Sequence, residues 1–133
     1  MQIAGFIFTV SELEGYRFIE TVFPAEFDRD RLWAAASSYP TLWDESRPTV
    51  TLNDIRLMPE MDDEARRVLR WVLQQNQIRA RLLATSWVTG DNQVARQQIE
   101  SVLTSVGRPV TTVFNTRAEA LTHLRGAIRE WQD

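Results

Sequence analysis

The sequence predicts one α/β domain over residues 1–133, a mixed five-stranded sheet in the order β-β-α-β-α-β-α-β-α with its helices mainly on one face. Two patterns carry the prediction. Short runs rich in β-branched and aromatic residues alternate with longer segments whose apolar residues recur at the 3.6-residue helical period. Caps and Gly/Pro stops punctuate them, and no linker, repeat or low-complexity stretch interrupts the series.

Residues 3–10 read as an apolar strand and residues 16–23 as an aromatic, β-branched one. The turn residues 11–15 make them a hairpin. Asp28 is placed to cap a helix with Leu32, Ala35, Ala36 and Tyr39 on one face, and Pro40 stops it. After a loop over residues 40–48 comes a strand over residues 49–57. Pro59 and Asp62 announce a second helix with the apolar stripe Met61, Ala65, Val68, Leu69, Val72 and Leu73. Its exposed face is expected to pair Asp62 with Arg66 and Asp63 with Arg67 at the i,i+4 spacing.

Residues 78–87 form the next expected strand, closed by Thr89 and Gly90. Asp91 then caps a third helix that turns Ala95, Ile99, Val102, Leu103 and Val106 inward, ended by Gly107 and Pro109. A short strand over residues 110–114 precedes a capping box, in which Thr116 and Glu119 serve each other's backbone N–H groups. The last helix presents Ala120, Leu121, Leu124, Ile128 and Trp131. Alternating strands and helices imply parallel neighbours joined by right-handed crossovers. In residues 49–53 and 78–85, polar and arginine positions alternate with apolar ones, so one sheet face is expected to stay partly open.

Composition narrows the function classes. Hydrophobic residues make up 44% and charged residues 25%, ordinary values for a globular chain. The absence of cysteine removes disulfides, thiolate nucleophiles and sulfur-ligated zinc. All 15 basic residues are arginine, which excludes lysine Schiff-base chemistry. Net charge is −3 and no basic stripe stands out, so no nucleic-acid partner is expected. No apolar run reaches membrane-spanning length, and residues 1–5 carry no basic leader region. A cytoplasmic setting is the expectation, with neither cofactor nor metal.

Three stretches resemble the STAS superfamily of sulphate-transporter and anti-sigma-factor-antagonist domains, closest to its small stand-alone SpoIIAA-like bacterial members. They are residues 48–56, a strand ending in acidic Asp54; residues 65–72 in the following helix; and residues 112–124, a strand and a Glu-Ala-Leu helix start. The likeness spreads over roughly residues 16–128. It implies a regulatory or protein-binding module with an α/β fold. Regulatory members of that family are switched by phosphorylating a Ser or Thr at the start of the helix after the third strand. Here no Ser or Thr occurs between Thr51 and Thr85, so the switch does not carry over. Glu60, Asp62 and Asp63 either mimic a phosphorylated state or simply favour the helix dipole.

Few residues invite chemistry. His123, the sole histidine, lies mid-helix beside the apolar stripe with no nucleophile near it in sequence, and no catalysis is expected. Asp54, Asp62 and Asp63 form an acidic cluster at a strand's C-terminal end, where ligands gather in open α/β sheets. Thr89, Gly90, Asp91 and Asn92 place backbone donors at a helix start, a potential anion site.

The five tryptophans are the most informative feature. Trp131 sits on an apolar stripe and reads as core. Trp71 falls off its helix's stripe, Trp33 lies beside its own, Trp43 is in a loop, and Trp87 ends a strand. Such residues either pack loops and termini or form a protein-binding or homodimer surface. The expected function is therefore a non-catalytic interaction module. The alternative is a carrier of a small apolar or amphipathic ligand, held in a crevice lined by Met58, Met61 and Trp87. Asp54, Met58, Met61, Trp71 and Trp87 are the candidate contact residues.

Overall fold

Two tight hairpins open the chain. The computed structural model describes residues 1–77 and 81–132. Strand β1 (Gln2–Ile3) pairs antiparallel with β2 (Phe6–Leu13), which pairs antiparallel with β3 (Tyr16–Val22). Both connections are two residues long with positive φ at each: Ala4 (52°) and Gly5 (90°), then Glu14 (49°) and Gly15 (84°). That is the type I′ geometry whose twist matches the flanking strands. The strand expected over residues 3–10 is thus two strands, because Ala4 and Gly5 reverse the chain. Ser11 and Glu12, expected in the turn, belong to β2.

The rest of the sheet is parallel. Helix α1 (Arg29–Ser38) and a 3₁₀ turn (Tyr39–Leu42) lead to β4 (Thr49–Asp54); α2 (Asp63–Gln77) leads to β5 (Leu82–Val88). Helix α3 (Gln93–Ser105) and a second 3₁₀ turn (Val110–Thr112) lead to β6 (Val113–Phe114), and α4 (Arg117–Gln132) closes the series. Among the described residues the sheet has six strands in the spatial order β1-β2-β3-β4-β5-β6, one more than expected. Of the strand expected over residues 78–87, residues 78–80 lie outside the described residues. The strand expected over residues 110–114 keeps only its last two residues.

Every parallel crossover steps the same way across the sheet, and right-handed crossovers that do so must leave their helices on one face. Accordingly α1, α2 and α3 bury Leu32, Ala35, Ala65, Leu69, Leu73, Ile99 and Leu103 in one core with Phe6, Phe8, Phe23 and Trp87. Helix α4 follows β6 and packs on the opposite face. There Ala120, Leu124 and Ile128 cover Phe18, Val50, Leu52 and Val88.

The expected partly open face is therefore covered over the centre of the sheet. The alternation in β4 was real but its cause was not solvent: Thr49, Thr51 and Thr85 are all buried. Thr51 and Thr85 satisfy each other across β4 and β5. What stays open on the α4 side is β2, where Ile7, Thr9 and Ser11 are exposed.

The caps follow the sequence with two changes. Asp28 Oδ1 accepts from Arg31 N at 3.0 Å, and Thr116 and Glu119 form the reciprocal capping box at 3.1 and 3.2 Å. Asn92, not Asp91, caps α3, accepting from Ala95 N while its amide donates to the carbonyls of Arg56 and Met58. Asp62 accepts from Ala65 N at 2.8 Å as the cap of α2, which takes it away from Arg66. Arg66 meets Asp63 instead, at 3.7 Å.

Candidate interaction surface

Helices α1 and α2 pack side by side, and each has one indole that its core stripe cannot accommodate. On α1 the buried residues are Leu32 and Ala35, so Trp33 points out of the layer. On α2 the stripe Ala65, Val68, Leu69 and Leu73 leaves Trp71 on the outer side. The two rings meet with centroids 5.2 Å apart and planes at 44°. They do not bury each other: Trp33 is 46% exposed and Trp71 45%. Arg29, Glu64, Arg67 and Val68 complete the groove around them. An exposed aromatic pair rimmed by arginines has the composition that anchors protein interfaces.

The other tryptophans separate from this pair. Trp87 is buried in the core against Phe23. Trp43 lies beside Tyr39, with centroids 6.1 Å apart. Trp131, expected in the core, is 52% exposed.

The strand-end residues form no open crevice. Met58 and Met61 are buried with Trp87 in the core under α1–α3, so the crevice expected from these three is closed. Gln98 fixes that segment from α3, accepting from Met61 N at 2.6 Å and donating to Pro59 O at 3.1 Å. A cavity of about 50 Å³ lies elsewhere on that side of the sheet, between β2–β5 and helices α1 and α2. Phe6, Phe23, Leu69 and Trp87 give it an apolar lining, with Thr21 and Asn53 as its polar groups.

Asp54 is buried and takes a forked ion pair from Arg56, with Nε 3.0 Å from Oδ1 and the terminal nitrogen 2.7 Å from Oδ2. Beside it Arg117 makes the same fork with Glu20, both contacts at 2.9 Å. Each guanidinium is thus filled by a carboxylate, and the pairs tie the start of α4 and the segment after β4 to the sheet. Asp54, Asp62 and Asp63 serve three different partners. Among the described residues no group of three His, Cys, Asp or Glu side chains is placed to hold a metal.

The loop after β5 likewise spends its donors internally. Thr89 N reaches Phe114 O, Gly90 N reaches Asn115 O, and Asn92 N reaches Thr89 O. Three of the four backbone donors of the anion site expected there are taken by these bonds.

One polar pair was invisible in the sequence. Ser86 Oγ on β5 lies 2.7 Å from His123 Nδ1 on α4 and 3.2 Å from Ala120 O. The partners are 37 positions apart, and no local pattern marks them. Ser86 is fully buried, and the imidazole rests on Phe114 with centroids 5.3 Å apart. Burial lowers the His123 pKa from its ordinary value, with the Glu130 carboxylate opposing. A nucleophile must reach a substrate carbonyl, and this hydroxyl is sealed under α4.

Among the described residues no helix is long and apolar enough to cross a membrane. Comparison of the chain with protein-family models, with curated proteins and with solved structures finds no match. Its own residues therefore carry the functional reading.

Proposed function

We propose that the chain is a non-catalytic protein-interaction or regulatory module of STAS-like type that docks partners through the α1–α2 face. The observation that carries this reading is the Trp33–Trp71 pair, two touching indoles each left nearly half exposed. Burying such surface in an interface is favourable, and tryptophan and arginine are the residues that most often dominate one. The resemblance of residues 48–56, 65–72 and 112–124 to STAS domains supports the regulatory class. The sealed Ser86 hydroxyl and the filled arginine forks support a non-catalytic role. The missing hydroxyl at the start of α2 separates the chain from phospho-switched members.

Carriage of a small apolar ligand is the second reading, favoured by the apolar cavity under α1 and α2. At about 50 Å³ it accommodates only a few heavy atoms, far below the roughly 300–1,000 Å³ of ordinary ligand sites.

The test is Trp33→Ala and Trp71→Ala, singly and together. The expected result is a melting temperature within a few degrees of the parent, with self-association or partner binding lost. A large loss of stability with association unchanged would assign both indoles to intramolecular packing.

A further inference from the structure

We propose that the α1–α2 face docks a second copy of this chain, antiparallel about a two-fold axis, the Trp33–Trp71 pair of each copy lying over Arg29 and Arg67 of the other. The inference rests on the reading of that face as an interaction surface, and it names the occupant.

The argument begins with spacing. Arg29 precedes Trp33 by four residues on α1, and Arg67 precedes Trp71 by four on α2. Both helices connect parallel strands in the same sense, so they run parallel to each other. The face is therefore divided along the helix direction, with an arginine end that Glu64 shares and an aromatic end about 6 Å apart, roughly one helical turn. Two of its three charged side chains are unpaired. Among the described residues Arg67 and Glu64 make no ion pair or hydrogen bond, and Arg29 meets only the exposed Asp30. Among the described residues no arginine stacks on either indole, although arginine over tryptophan is a favoured contact.

A surface with an arginine half and an aromatic half is complementary to itself reversed, because each guanidinium then lies over an indole. A two-fold axis in the interface plane and perpendicular to the helices sets α1 on the partner's α1 and α2 on the partner's α2, antiparallel. Trp71 then covers the partner's Arg67, Trp33 covers the partner's Arg29, and symmetry repeats both contacts. An axis along the helices would instead bring Arg29 against the partner's Arg67, like charge on like. The arginine–indole contacts therefore select the antiparallel arrangement. On α2 the register that puts Trp71 on the partner's Arg67 is symmetric about Leu69, so Glu64 falls opposite the partner's Gln74. Both of those side chains are exposed.

The chain has no cysteine, so Glu64→Cys and Gln74→Cys each introduce a single thiol, away from the contacts themselves. Mixed and mildly oxidised, the two variants are expected to cross-link to each other, while Glu64→Cys alone does not cross-link to itself. Sedimentation of the full chain from about 10 μM to about 1 mM should show a reversible dimer. Trp71→Ala should weaken it by at least about 30-fold and Arg67→Glu by about tenfold. A wild-type chain that stays monomeric throughout overturns the second copy, as does preferential Glu64→Cys self-linking. Either result leaves the face open to a different protein. The underlying reading fails separately, when Trp71→Ala melts the fold without changing any association.

Discussion

The hydroxyls of Thr51 and Thr85 meet at 2.8 Å between two central parallel strands, both side chains buried beneath the helical layer. One donates and the other accepts, so each is satisfied only by its neighbour's presence. Thr51→Val alone strands the Thr85 hydroxyl and is expected to cost about 1–3 kcal/mol. The double variant Thr51→Val/Thr85→Val removes both polar groups at nearly constant shape and should recover most of that loss. Urea denaturation of the two singles and the double gives the coupling. Additive losses would show that the hydroxyls act independently.

The Ser86–His123 contact predicts a pH dependence with a definite sign. Burial depresses the imidazole pKa in the folded chain, so the fold favours the neutral ring and the unfolded chain binds the proton more readily. The resulting stability is fully present above the unfolded value of about 6.5. It is lost as pH falls below that value and through the lower folded one. Removing the ring by His123→Ala should flatten the slope of unfolding free energy between about pH 7 and pH 5. An unchanged slope would show that the ring titrates alike in both states. The same variant should leave no hydrolytic activity to lose, since Ser86 is sealed under α4.

Gly90 is required by two constraints together. Its φ is +56°, and an added Cβ would stand 3.2 Å from the Arg56 side-chain stem. Gly90→Ala is expected to cost about 1–2 kcal/mol from the left-handed backbone. The Arg56 stem can shift, which would loosen its fork on Asp54. Thermal melts of Gly90→Ala, Arg56→Ala and the double variant separate the two costs. A backbone effect alone leaves the Gly90 loss unchanged when Arg56 is absent.

The start of α2 should not be phosphorylated on a hydroxyl. Residues 52–84 contain neither Ser nor Thr, and the acids there have structural work: Asp62 caps the helix and Asp63 meets Arg66. Incubation with a serine/threonine kinase of the regulatory type, followed by peptide mapping, should find that segment unmodified. Asp62→Ala should cost about 1 kcal/mol as a lost cap, whatever the signalling state.

Period and caps made most of the element series legible. Apolar residues at helical spacing marked α2 and α3, Asp28 and Thr116 marked helix starts, and residue types alone separated strands from helices. These signals lie within a few residues of one another, which is why a linear reading finds them. The sequence also singled out Trp71 and Trp33 as lying off their stripes, because helical geometry allows one face per sheet contact.

Only the tertiary structure decided the rest. That Trp33 touches Trp71, that Ser86 meets His123, and that Glu20 holds Arg117 across 97 positions depends on which strands become neighbours. Met58 became core and Trp131 did not. Local pattern fixes where a side chain points on its own element. What it meets there is set by sheet order and crossover handedness, which act over distances no window of sequence spans.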